Sequence, residues 1–169
     1  MLMKILHHFM YSVVFGLYAA PSFAATTTHG DWLAYAQKEN GNQACIMSGE
    51  PSKSAGKYTK RGQVYLIISH RPSEQRYNEI SFQAGYTLKK NSTVLAIIDG
   101  KNKFSLQSNK GHAWTIDADT DAAMIKALRS GTTLVIKGVS SRGTATTDTF
   151  SLKGFTAAVK SINKTCKVK

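Results

Sequence analysis

The sequence is short of acids, cysteines, histidines and prolines: ten Asp and Glu stand against 22 Lys and Arg, with two Cys, five His and three Pro. Each shortage removes a class of protein. Two cysteines are too few for a disulfide-dense scaffold. His29, His70 and His112 are each isolated, and none stands at ligand spacing from another His, Cys or carboxylate, so no metal site is expected. Asp117, Asp119 and Asp121 alternate as in a calcium loop, but the required Gly and the distal Glu are missing. They read instead as acids facing the positive end of a helix dipole. There is no glycine-rich phosphate loop and no Gly-x-Ser-x-Gly elbow. A Ser-His-Asp set can assemble from distant residues, but nothing in the sequence points to one. Neither a cofactor nor an enzymatic activity is expected.

The N-terminus carries the first positive signal. Lys4 precedes an apolar stretch from Phe9 to Ala20, and Pro21-Ser22-Phe23-Ala24 puts small residues at the −3 and −1 positions of a cut after Ala24. That is the order of a secretory signal peptide. The stretch is shorter than the roughly 20 residues of a membrane span, although an uncleaved anchor is the alternative. Residues 1–24 are therefore expected to be a signal peptide and 25–169 a single domain exported to the periplasm, the cell surface or the medium. A domain of this size removes roughly 70% of its surface from water on folding. No later apolar run reaches spanning length, so no transmembrane segment is expected after signal removal.

The formal charge is +12, of which only Lys4 leaves with the signal. Such a balance favours acidic partners: lipid headgroups, acidic polysaccharide or nucleic acid. Export makes nucleic acid the least expected, leaving an anionic component of the envelope or of a host surface. The competing reading is a solvated coat that keeps the protein soluble. Two segments without apolar period concentrate the charge. Gly49 to Gly62 holds Lys53, Lys57, Lys60 and Arg61, and His70 to Arg76 holds Arg71 and Arg76. Read as exposed loops, they give six candidate residues for anionic-surface binding.

In an oxidising compartment Cys45 and Cys166 are expected to pair. The alternative, a reactive thiol, needs a positive partner to hold the thiolate, and no sequence feature supplies one. The pairing follows from there being two cysteines and no more.

Most of the remaining pattern is short strands. Asp31–Gln37 alternates, with Trp32, Ala34 and Ala36 on one face; Gln63–Ser69 centres on Val-Tyr-Leu-Ile-Ile; Ile80, Phe82, Ala84, Tyr86 and Leu88 keep period two, with Gly85 marking a bend. Thr93–Ile98 runs into Asp99-Gly100, a hairpin turn signal. A second hairpin spans Thr132–Leu152, turning at Ser140–Gly143. Asp119–Arg129 reads as a helix with Met124, Ile125 and Leu128 in one stripe, Asp119 as cap and Gly131 beyond its end. Phe155–Lys164 reads as another, with Phe155, Ala158, Val159 and Ile162 at i, i+3, i+4 and i+7. The fold class is mainly β, a β-sandwich with two short helices.

Four segments taken in order, Gly30-Asp31-Trp32, Ala44-Cys45-Ile46, Ile98-Asp99-Gly100 and Ser151-Leu152-Lys153-Gly154-Phe155-Thr156-Ala157-Ala158, resemble the invasion-associated locus B family of exported alphaproteobacterial proteins. The last is the most specific. The resemblance implies an immunoglobulin-like β-sandwich, export, and for members in blood-infecting pathogens a link to host-cell entry; it brings no catalytic residues. The sequence departs from the family pattern. Tyr35 and Ala36 stand where many members have a Cys, and Gln107 and His112 where many have a Cys pair. The family therefore does not supply the Cys45–Cys166 pairing. The expected function is that of an exported, non-enzymatic envelope or surface protein that aids host-cell interaction or invasion by binding. The alternative is an envelope hydrolase or inhibitor acting on an anionic polymer.

Overall fold

The computed structural model describes residues 26–168; the expected signal peptide lies outside them. The described chain forms eleven strands: β1 (Thr27–His29), β2 (Trp32–Glu39), β3 (Asn42–Gly49), β4 (Lys53–Gly56), β5 (Tyr65–Arg71), β6 (Arg76–Gln83), β7 (Val94–Ile98), β8 (Asn102–Asn109), β9 (His112–Trp114), β10 (Thr133–Val139) and β11 (Ala145–Ser151). Helix α1 (Ala118–Ser130) lies between β9 and β10, and α2 (Phe155–Cys166) closes the chain. This is the mainly antiparallel β fold with two helices that the pattern predicts.

The strand order is β1-β2-β3-β5-β6-β9-β8-β7-β10-β11-β4. The ladder bends at β8, whose Asn102–Leu106 pairs with β7 while Gln107–Asn109 pairs with β9. The bend brings β11 across the ends of earlier strands. The Trp32 indole N–H, at the start of β2, donates to Ser151 O at 3.1 Å, and Phe82 of β6 meets Phe150 edge-on at 6.4 Å between ring centroids. Alternation fills the enclosed space: Trp32 and Ala34, Leu66 and Ile68, Ile80 and Phe82, Leu134 and Ile136 all point inward.

Helix α2 lies on β2, β3 and β5, and its predicted stripe of Phe155, Ala158, Val159 and Ile162 is buried. Phe155 packs edge-on against Trp32 at 4.9 Å. Cys166 ends the same stripe and forms a disulfide with Cys45 of β3, closing a separation of 121 residues. The Asp99-Gly100 turn has positive φ at both positions, 49° and 71°, as a two-residue hairpin turn of this hand requires.

Three local expectations are corrected. His70–Arg76, expected as an exposed loop, is the end of β5, a short turn and the start of β6, with His70 fully buried because its ring is bonded to Asn163 of α2. Lys53–Gly56, expected as part of an exposed loop, is the edge strand β4, paired with β11 from Thr149 to Thr146. Both of its faces are exposed, so no apolar period announces it. The cap of α1 is Asp117, not Asp119. The Asp117 carboxylate accepts from Thr120 N at 2.7 Å, and Asp121, two residues further along than Asp119, turns inward and accepts from Ile80 N at 2.9 Å.

Candidate functional site

The chain between β4 and β5 is fixed by one side chain. The Arg61 guanidinium donates to both oxygens of Asp148, each at 2.7 Å, and through Nε to Ala84 O at 2.8 Å. The two side chains are 5% and 1% exposed. Ser54 Oγ donates to the same carboxylate at 2.7 Å, so both partners are satisfied and the desolvation of each charge is offset. Burial opposes the Arg61 charge, but the hydrogen bonds and charge of Asp148 outweigh it and hold the group protonated more firmly than usual. The rings of Tyr58 and Tyr86 stand 5.4 and 4.8 Å from the guanidinium carbon, a double cation–π contact. Tyr86 Oη is in turn 2.6 Å from Thr146 Oγ1.

In front of this anchor lies an open cleft of about 480 Å³, walled by residues 57–60 on one side and by the β10–β11 turn on the other. Lys57, Lys60 and Arg142 line it, with Tyr58, Tyr86 and a set of hydroxyls that includes Thr59, Thr87 and Ser141. No carboxylate or imidazole lines it among the described residues. The segment after β6 ties the walls together: Gly62 N donates to Gly85 O at 2.8 Å, Ser141 N to Thr87 O at 2.7 Å and Lys89 N to Val139 O at 2.9 Å. Leu88 N donates to Lys110 O at 2.6 Å, which ties the β8–β9 turn to the same segment. Lys57, Arg142 and Thr144 also line a second, shallower depression with Gly56, Gly143 and Ala145. The two depressions thus share the wall formed by Lys57, Arg142 and Thr144.

The six basic residues singled out from the sequence are not one surface. Lys57 and Lys60 lie in the cleft. Lys53 is exposed on β4. Arg61 is the buried anchor and cannot present its charge to a ligand; its partner Asp148 is 87 residues away in sequence and invisible to a local reading. Arg71 and Arg76 lie at the other end of the β5–β6 hairpin. Arg71 pairs with Glu39 at 2.8 Å and Glu79 at 3.0 Å, and Arg76 with Glu74 at 2.9 Å and Glu79 at 2.5 Å. Three acids around two guanidiniums leave no positive patch there. The local pattern did not single out Arg142 or the two tyrosines. The available signal was the absence of any acid from Ile80 to Ile98 and from Ala122 to Thr147.

The segments of the resemblance lie elsewhere. Asp31 N donates to Lys153 O at 3.1 Å, and Gly30 and Gly154, both at positive φ, let the two backbones touch. Asp99 accepts from Thr132 N and Thr133 N, fixing the β7–β8 turn to β10. Gly30, Asp31, Gly154 and Asp99 form a joint at the Ser151 end of β11, Cys45 is bonded to Cys166 at the far end of α2, and the cleft is at the Ala145 end of β11.

Fold and site together define a small disulfide-locked β protein with a cationic cleft built from its loops, a design suited to the oxidising side of a membrane. The family model described as Invasion associated locus B (IalB) protein matches residues 32–163, and the chain belongs to that family. Among solved structures, the crystal structure of invasion associated protein b from Bartonella henselae is similar, with a TM-score of 0.58 and 16% identity over 85% of this chain and 98% of that one. Comparison with curated proteins finds no significant match.

Proposed function

We propose that this chain is an exported, non-enzymatic binding module that engages an acidic component of the envelope or of a host surface through the cationic cleft. The observation that carries the reading is the convergence of Lys57, Lys60 and Arg142 on one cavity without a lining carboxylate. The Bartonella henselae protein of similar fold bears the name invasion associated protein b, and binding to a host surface is one way for a member of the family to take part in invasion. The hydrolase alternative needs a carboxylate pair or a His–acid pair in the cleft. The nearest carboxylate, Asp148, has both oxygens engaged by Arg61, which favours binding over catalysis.

The test is retention of the exported protein on polyanionic beads across a salt series. A cation near an acidic surface contributes about 1 kcal/mol, so the combined Lys57→Gln, Lys60→Gln and Arg142→Gln variant should bind about a hundredfold more weakly. Removing three exposed lysines elsewhere, Lys103, Lys126 and Lys160, should weaken binding far less. Equal loss in both variants would mean that the charge acts only as a diffuse coat.

A further inference from the structure

Resting on that reading, we infer that the cleft takes an extended acidic polysaccharide chain in preference to a lipid surface. Shape is the first argument. The cations stand on the walls of a concave cleft, and Lys57 and Arg142 also border a second depression beside it. A flat bilayer cannot reach cations set on the walls of a concave cleft, whereas a single polymer chain can lie in it.

The lining is the second argument. Acidic lipid headgroups at a membrane are held largely by charge, and a surface serving them needs cations and little else. This cleft interleaves its three cations with hydroxyls, which both donate and accept. That is the complement of a sugar, whose own hydroxyls do the same. Tyr58 is 37% exposed, and its ring is braced by the Arg61 guanidinium. A fixed aromatic face beside cations offers a sugar ring an apolar seat at low entropic cost. The remaining large exposed apolar residues among those described, Leu33, Tyr77, Trp114 and Ile116, do not line the cleft. Tyr58 is the one large exposed apolar residue of the cleft among those described, and the Arg61 guanidinium stacked on its ring holds it to the wall.

The experiment compares four probes by titration at about 0.15 M salt: short heparin oligosaccharides, neutral dextran, polyglutamate, and phosphatidylserine vesicles. The expected result is that heparin oligosaccharides bind at least about tenfold more tightly than polyglutamate of equal charge, with dextran and vesicles weaker still. Tyr58→Ala should weaken oligosaccharide binding about tenfold and polyglutamate binding far less. Thr87→Ala, at an exposed position on the cleft wall, should weaken oligosaccharide binding in the same selective way without touching the Arg61 anchor. Polyglutamate or vesicles bound as tightly as the oligosaccharide would overturn the polysaccharide inference and leave the cationic binding module standing. Failure of the wild type to bind any polyanion better than the triple Gln variant would overturn both.

Discussion

Arg61 and Asp148 form a buried, bidentate ion pair in which each charge depends on the other. A buried ion pair adds little net stability over apolar residues of similar shape, but removing one partner strands the other charge. Asp148→Ala should therefore cost about 3–5 kcal/mol, because the Arg61 guanidinium keeps its burial and loses both carboxylate bonds. The paired replacement Arg61→Met with Asp148→Leu should recover most of that loss. Urea unfolding of the three proteins checks it; a double variant as unstable as the single one would place the cost in packing. The pair also explains why the sequence misleads at this position. Arg61 sits in a run with Lys57 and Lys60, and nothing local separates an anchor from a surface cation.

At the scale of elements, the docking of α2 on β5 depends on a histidine to which the sequence pattern assigns no role. His70 is fully buried; its Nδ1 accepts from Asn78 N at 3.0 Å, so Nε2 carries the proton and donates to Asn163 Oδ1 of α2 at 2.9 Å. Burial lowers its pKa below the ordinary 6.5, against the Asn163 bond, which raises it. The unfolded chain therefore takes up a proton before the folded one does. The stabilisation is complete above about 6.5 and is lost as pH falls from there through the depressed folded value. Melting temperature should decline between about pH 7 and pH 5, and the slope should be shallower in His70→Gln. Equal slopes would assign the decline to other groups. The helix itself was legible, since four apolar residues at helical spacing mark a buried face wherever they occur. The strand β4 was not: beyond the Ser54–Asp148 bond it is held by backbone pairing, and a strand exposed on both faces writes no period into its side chains.

For the molecule as a whole, the disulfide governs how much freedom unfolding can gain. It joins β3 to the last turn of α2 and spans most of the described chain. Loss of a native bridge costs about 2–5 kcal/mol, and a long loop argues for the upper part of that range on the chain-entropy model. Cys45→Ala should lower the melting temperature by about 10 °C, at roughly 2–4 °C per kcal/mol for a chain of this size. Heparin binding by the variant below its transition should be unchanged, because the bridge lies away from the cleft. A simultaneous loss of binding in still-folded protein would show that bridge and cleft are coupled. The mainly β class, both helices and the bridge could be read from patterning and a count of two cysteines. The cleft could not, since its walls come from residues 57–60, the segment after β6 and the β10–β11 turn, and only the folded ladder brings them together.

Strand β11 does different work at its two ends. At Ser151 it is stitched to the start of β2 and to α2; at Ala145 it opens into a turn that carries Arg142. Substitutions in that turn, or at 57–60 outside Arg61, leave the stitching untouched. Changes at the rim can therefore alter the charge and shape of the cleft without disturbing the frame. Two relatives with superimposable frames need not, for that reason, recognise the same surface.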